Sequence, residues 1–159
     1  MFNVKQFMED VSRETMATKT KKLGDLGEKI AEKYLKNKGY KILEKNFRYK
    51  NYGEIDIIAQ KNKRKLLIFL KPKHLTFVEV KTRKISGNSS YRPEDNITYF
   101  KKKQLIKLSK IYLSQNKKFL NIPYQIDVIA IEILQEIIES AHNQRIELRH
   151  IEQAITDFK

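Results

Sequence analysis

Residues 53–59 read Gly-Glu-Ile-Asp-Ile-Ile-Ala and residues 77–83 read Phe-Val-Glu-Val-Lys-Thr-Arg. Both segments are short and rich in β-branched residues, so both read as strands. Alternation along a strand puts Ile55 and Ile57 on one face of the first, with Glu54 and Asp56 on the other. In the second, Val78 and Val80 oppose Glu79 and Lys81. If the strands are neighbours with these faces aligned, three carboxylates and an ammonium gather on a surface otherwise built for burial, which is costly unless a cation neutralises them. Oxygen-only ligands suit a hard ion, Mg²⁺ with Mn²⁺ as a substitute. In such a site Asp56 and Glu79 hold the metal, which lowers the pKa of a bound water for attack on a phosphodiester. Lys81 orients that water or offsets charge on the phosphate. The competing reading is a solvent-facing sheet surface on which Asp56 pairs across strands with Lys81. A lone Glu-x-Lys carries little weight in a chain that is 33% charged, but Glu79-Val80-Lys81 sits in a strand pattern, whereas Asp157-Phe158-Lys159 ends a helical one.

Working outward, Leu23, Leu26, Ile30, Ala31, Tyr34 and Leu35 make one apolar stripe, which predicts a helix over 23–38 with Gly39 as its left-handed cap. Residues 40–49 and 53–60 then form a hairpin across Lys50 to Gly53. The apolar run 66–70 and the strand 75–82 suggest an extra hairpin, and 86–93 (SGNSSYRP) reads as an exposed loop. Residues 98–115 are helical in pattern, with Leu105, Leu108 and Tyr112 on one face and Lys103, Lys107 and Lys110 on the other. Residues 125–133 read as a late strand. Ile151, Ala154, Ile155 and Phe158 recur at helical spacing near the end. In the first twenty residues Val4, Phe7, Met8 and Val11 allow a short amphipathic helix, read as a loosely docked arm. The expected organisation is an arm over 1–20 and one domain over 21–159.

The balance of 33 Lys plus Arg against 19 Asp plus Glu leaves a formal charge of +14, which favours a polyanionic partner. Residues 100–118 hold seven lysines and no acid, residues 61–73 hold six bases and no acid, and residues 132–159 reverse the sign with six acids against three bases. One basic face toward a phosphate backbone follows, with a solvated lysine surface as the alternative. The absence of cysteine removes disulfides, thiolate zinc sites and cysteine nucleophiles and fits a reducing, cytoplasmic setting. His74, His142 and His150 show no zinc-site spacing and read as surface or packing residues. Nothing resembles a signal peptide or a membrane span, so no membrane association is expected.

Several segments taken in order resemble one family. These are Glu28 in the first helix, Gly39-Tyr40, Asn46-Phe47-Arg48, GEIDIIA, FVEVKTR, Arg92-Pro93-Glu94, Lys103-Gln104, Ile126 to Ala130 and His150-Ile151. Together they are similar to the YraN family of small bacterial proteins, over about residues 23–158. The resemblance implies an α/β fold of restriction-endonuclease type, a mixed sheet flanked by helices and akin to Holliday-junction resolvases. It also implies a PD-(D/E)xK site and nucleic acid, DNA first, as substrate. By that resemblance Asp56 is the first acid of the motif, Glu79 and Lys81 its acid and lysine, and Glu28 the helix acid placed near the metal. Glu54 and Gln104 are second-tier candidates, and analogy with resolvases suggests a homodimer. The chain departs from the family pattern by an inserted apolar and basic piece over 63–74 and by its amino arm.

The expected function is therefore a Mg²⁺-dependent endonuclease acting on DNA, branched or structured forms included. Lys61, Lys63, Arg64, Lys65, Arg83, Arg92, Lys103, Lys107 and Lys110 are the candidates for gripping phosphates. Two rivals remain: a nucleic-acid-binding module that keeps the fold without cutting, and a peripheral membrane protein that uses the arm and the lysines.

Overall fold

The computed structural model describes residues 16–61, 74–85, 92–138 and 141–156. In chain order it has helix α1 (Met16–Asn37) and strands β1 (Tyr40–Arg48), β2 (Glu54–Lys61) and β3 (His74–Ile85). A 3-10 turn (Pro93–Asn96), helix α2 (Tyr99–Gln115) and a second 3-10 turn (Lys117–Phe119) follow, then strands β4 (Tyr124–Ile138) and β5 (Ala141–Ile155). The strands form one sheet in the order β1-β2-β3-β4-β5. All neighbours are antiparallel except β3 and β4, which run parallel. A parallel pair cannot be joined by a tight turn, and α2 lies in the crossover between the two.

The helices cover opposite faces of the sheet. The stripe of α1 supplies Leu26, Ala31 and Leu35 to a core with Tyr40, Ile57, Val78, Ile129 and Ile131. From α2, Leu105, Leu108 and Tyr112 pack with Phe47, Ile55, Ile58, Phe77 and Ile126. The middle strands are buried on both sides, which is why Ile126 to Ile133 reads as a nearly continuous apolar run and not as a clean alternation. This is the mixed α/β sheet with flanking helices that the sequence implied.

Local signals set the helix ends, the expected Gly39 cap among them. Gly39 adopts φ 83° and stops α1, and its N–H bonds back to the Lys36 carbonyl at 3.0 Å. The Thr98 hydroxyl accepts the Lys101 N–H at 3.2 Å and caps α2. Helix α1 itself begins at Met16, earlier than the stripe from Leu23 indicated. Residues 1–15, most of the 63–74 insertion with its proposed extra hairpin, and 86–91 of the expected loop lie outside the described residues.

Two expectations are corrected. Residues 151–155 belong to β5 and are not helical. Ile151 pairs with Val128 and Ile155 with Ile126, so five positions of β5 span three of β4 across a bulge. At that bulge Gln153 takes φ 53°, and its N–H donates to Asp127 Oδ1 at 2.9 Å. The bulge lets Ile151, Ala154 and Ile155 all reach the core on the α2 side. A strand thereby shows the 3-and-4 spacing of a helix.

Within GEIDIIA the expected alternation does not hold. Ile55 packs in the core under α2 and Ile57 in the core under α1, so they do not share a face. The alternation breaks at Asp56 because the ladder between β2 and β3 runs from Lys61 opposite His74 only as far as Ile57 opposite Val78. Along β3 the alternation holds: Val78 and Val80 pack toward α1, whereas Lys101 of α2 reaches Glu79.

Candidate active site

The parting of β2 from β3 creates the site. Where β2 ceases to pair, the Val80 N–H of β3 donates to Asp56 Oδ2 at 2.6 Å, so a side-chain carboxylate stands in for a strand carbonyl. Asp56 is 8% exposed and Glu79 1%. Burial, and next the charge of Glu79, push the Asp56 carboxyl up to about 7, while the Val80 N–H and Lys101 pull the other way. The two acids are thus close enough to repel in a poorly solvated gap, as a shared face required.

Glu79 carries the cations. Lys81 Nζ donates to its Oε1 at 2.8 Å, and Lys101 Nζ stands 3.0 Å from its Oε2. The latter is an ion pair without hydrogen-bond alignment, and Oε2 has no hydrogen-bond partner. Lys101 also donates to the Glu54 carbonyl at 3.3 Å, which ties the first turn of α2 to the start of β2. In place of the Asp56–Lys81 cross-strand pair of the competing reading, Lys81 pairs with Glu79 on its own strand. Lys101 was missed in the sequence. Its available signal was position: it is the third residue of a helix capped by Thr98 and lies three before Gln104, on the flank opposite the lysine stripe.

The expected gathering of three carboxylates is also corrected. The Glu54 side chain turns to Arg48, whose Nε donates to it at 2.7 Å, and so leaves Asp56 and Glu79 as a pair. Glu28 of α1 acts on Asp56 through its charge. Desolvation raises the pKa of Glu28 and a hydrogen bond with Asn46 lowers it. The approach of α1 that makes this possible depends on Gly27, where a Cβ would overlap the Thr82 hydroxyl of β3. Asn46 is a further residue the sequence reading quoted but gave no role; it holds φ 53° in β1. Gln104 lies against Gly53, and with Arg48, Lys50, Asn51, Glu54 and Lys101 these two line a recess of about 430 Å³ with a mainly basic wall.

Among the phosphate-gripping candidates, Lys103, Lys107 and Lys110 line a groove of about 660 Å³ on the outer side of α2. Lys103 stands over the Tyr99 ring at 4.5 Å and Lys107 over Tyr52 at 3.6 Å. Arg83 lies on β3 two positions beyond Lys81, and Arg92 is exposed before the first 3-10 turn. Lys61 stands apart. It is five residues along β2 from Asp56, roughly 17 Å at strand rise, and is engaged by Glu152 at 3.6 Å and the Tyr40 ring at 4.9 Å. Lys63, Arg64 and Lys65 lie outside the described residues. His74 is buried and His150 Nε2 lies 2.8 Å from Asp127, whereas the side chain of His142 lies outside what the structure describes.

Among the described residues no three acidic or histidine side chains stand together as a ready-made metal cage. Two carboxylates do fit one ion. Mg²⁺ characteristically takes one or two protein carboxylates and completes its shell with waters and substrate phosphate, and Glu79 Oε2 is buried without a hydrogen bond. The donor set is oxygen only, which suits that ion and not zinc. No helix among the described residues is long and apolar enough to cross a membrane.

Fold and site together define an α/β protein with a mixed sheet whose strands part over two buried acids bracketed by lysines. The profile of the uncharacterised protein family UPF0102 matches residues 27–131. The chain is 40% identical over 135 residues to a UPF0102 protein of Clostridium acetobutylicum, covering 84% of this chain and 93% of that one. It is 38% identical to one from Clostridioides difficile, over 77% of this chain and 96% of the relative. Against one from Thermodesulfovibrio yellowstonii it is 44% identical, over 69% and 84%. The chain belongs to the UPF0102 family, the YraN-like family its motifs resembled.

Proposed function

We propose that the chain is a divalent-cation-dependent nuclease of restriction-endonuclease-like, PD-(D/E)xK type that hydrolyses phosphodiester bonds of DNA. The observation that carries the reading is the buried Asp56–Glu79 pair at the parting of β2 and β3. Two acids that repel inside a core cost stability, and the arrangement persists here beside two lysines that already compensate one of them. Such a cost is expected where the pair has a ligand to hold.

Asp56 and Glu79 would hold Mg²⁺, or Mn²⁺ in its place. When bound, that ion offsets their charge and polarises the phosphate for attack by water. The rest falls to side chains of this chain. Lys81, kept at Glu79 by a 2.8 Å contact, supplies a fixed positive charge beside the reacting phosphate. Lys101 adds a second such charge from α2 and ties that helix to β2 through the Glu54 carbonyl. The Val80 N–H fixes the Asp56 carboxylate so that its free oxygen is presented without rotational search. Arg48, Lys50 and Lys101 in the basic recess, with Lys103 and Lys107 along α2, would follow the backbone by charge and not by sequence.

The direct test is incubation of labelled duplex, single-stranded and four-way-junction DNA with Mg²⁺ or Mn²⁺ and wild type, Asp56→Ala or Lys81→Ala. Cutting by wild type alone, abolished by a chelator, with binding kept in both variants, is the expected result. Equal cutting by all three proteins points to a contaminant. Binding without cutting on every substrate favours the second reading, a nucleic-acid-binding module that retains the fold.

A further inference from the structure

Phe100 is 81% exposed and its neighbour Tyr99 is 55% exposed, on the first turn of α2. Their rings meet at 6.1 Å and 71°, edge toward face. Such exposure at a helix start is unusual for two adjacent aromatics unless the surface meets something. The residues that follow them are chemically one-sided. Lys101, Lys102 and Lys103 follow directly, and no acid occurs between 100 and 118. Lysine is depleted in protein–protein interfaces, whereas aromatic faces set among cations are the usual platform for nucleic-acid bases.

Position connects this turn to the acids. Lys101, the next residue, reaches Glu79 at 3.0 Å. Phe100, Gln104 and Lys107 follow one another at i, i+4 and i+7, so they share a flank of α2, and Gln104 lines the basic recess beside Gly53 and Glu54. Phe100 therefore lies one helical turn from Gln104 and next to Lys101, two residues that line that recess. Tyr99 has a lysine over its ring, but Phe100 has an open face.

We infer that Phe100 is a stacking step for an unpaired base, so that the site takes nucleic acid with bases exposed beside the bond to be cut, such as a single-stranded tail or a branch point, over continuous duplex. This rests on reading the neighbouring acids as a nuclease site. In an unbroken helix each base is already stacked on both sides and offers no face to a ring. At a tail or branch the first unpaired base does. The lysines serve both forms of DNA through phosphates and give no preference; the ring supplies it.

The test uses the full chain carrying Asp56→Asn, which should bind without cutting, and a duplex with or without a short single-stranded tail whose first unpaired base is 2-aminopurine. Anisotropy should show the tailed form bound about tenfold more tightly, with quenching of the 2-aminopurine. Adding Phe100→Ala or Phe100→Leu should bring tailed and blunt affinities together and abolish the quenching, while Phe100→Trp keeps both. Equal affinity for the two DNAs, or quenching unchanged by Phe100→Ala, overturns the inference. So does loss of binding to anionic vesicles in Phe100→Ala with DNA preference intact, which would make the ring a membrane contact. A wild-type protein that stacks tailed DNA through Phe100 and never cuts it would retire the nuclease reading while upholding the stacking site.

Discussion

Replacing Asp56 by Asn should stabilise the protein, and only above a definable pH. Burial and Glu79 lift the Asp56 carboxyl from 3.8 to about 7 in the folded chain. A raised folded-state pKa means that the native state holds a proton which the unfolded state releases, so the favourable contribution is complete below about pH 4 and is lost as pH climbs to about 7. Each unit is worth about 1.4 kcal/mol, and three units make the ionised carboxylate cost about 4 kcal/mol at pH 8. Asn keeps an acceptor for the Val80 N–H, now 2.6 Å from the carboxylate, offers a donor toward Glu79 and does not titrate. Urea unfolding of wild type and Asp56→Asn at pH 4, 6 and 8 should therefore show a gap near zero at the first, growing to several kcal/mol at the last. Contributions from groups that do not interact with Asp56 cancel in the difference. Parallel curves with no gap opening between pH 4 and 8, or a less stable Asn variant at pH 8, would refute the claim that the acid pair is strained.

The same linkage predicts that Mg²⁺ raises the melting temperature of wild type at pH 8 but not of Asp56→Asn or Glu79→Gln, read by calorimetry with and without the ion. Lys101→Met should move the midpoint of the pH-dependent gap to higher pH, because the Lys101 charge lowers the Asp56 pKa. It should also slow DNA cutting by about tenfold or more, as loss of a charge placed to stabilise a transition state does; an unchanged midpoint would place Lys101 outside the field of the acids. Arg149 donates to Glu94 at 3.0 and 2.9 Å and to Glu132 at 2.8 Å, so it ties the first 3-10 turn to the sheet. Arg149→Met should cost about 2 kcal/mol in urea at pH 7 by leaving the buried Glu132 unpaired, with Glu132→Gln restoring part of the loss.

What the sequence disclosed, it disclosed through local chemistry. The stripe from Leu23 to Leu35, the Gly39 cap and the Thr98 start need only neighbours along the chain, and the elements they specify formed. The family motifs placed Asp56, Glu79 and Lys81 on adjacent strands without showing how those strands meet. The two misread strand patterns share a cause that periodicity cannot register, an aspartate interrupting a strand ladder. At Asp127 it draws in the Gln153 N–H and gives β5 the spacing of a helix. At Asp56 it takes the Val80 N–H and sends Ile55 and Ile57 to opposite cores. Lys101 was hidden for a different reason: its role depends on α2 crossing over β3, a tertiary fact, whereas the lysine stripe at 103, 107 and 110 is plain in the linear text.

The two aspartates also separate structure from function by how completely they are satisfied. Asp127 is wholly buried and meets Gln125 Nε2 at 2.9 and 3.0 Å, His150 Nε2 at 2.8 Å and the Gln153 N–H at 2.9 Å. Its lone pairs are used, and the Tyr34 and Tyr40 rings close over its histidine. Among the described residues Asp56 has one hydrogen bond, from the Val80 N–H, with an acid as well as the Lys101 charge nearby. A buried polar group that only builds the fold is normally saturated with partners, so selection for stability alone would supply Asp56 with the equivalents of Gln125 and His150, or replace it. The family resemblance picks out both residues through their motifs. The incomplete coordination of one of them marks where a ligand belongs: Asp127→Asn should cost stability by breaking the bonds to His150 and the Gln153 N–H, whereas Asp56→Asn should gain it at pH 8 at the expense of the site.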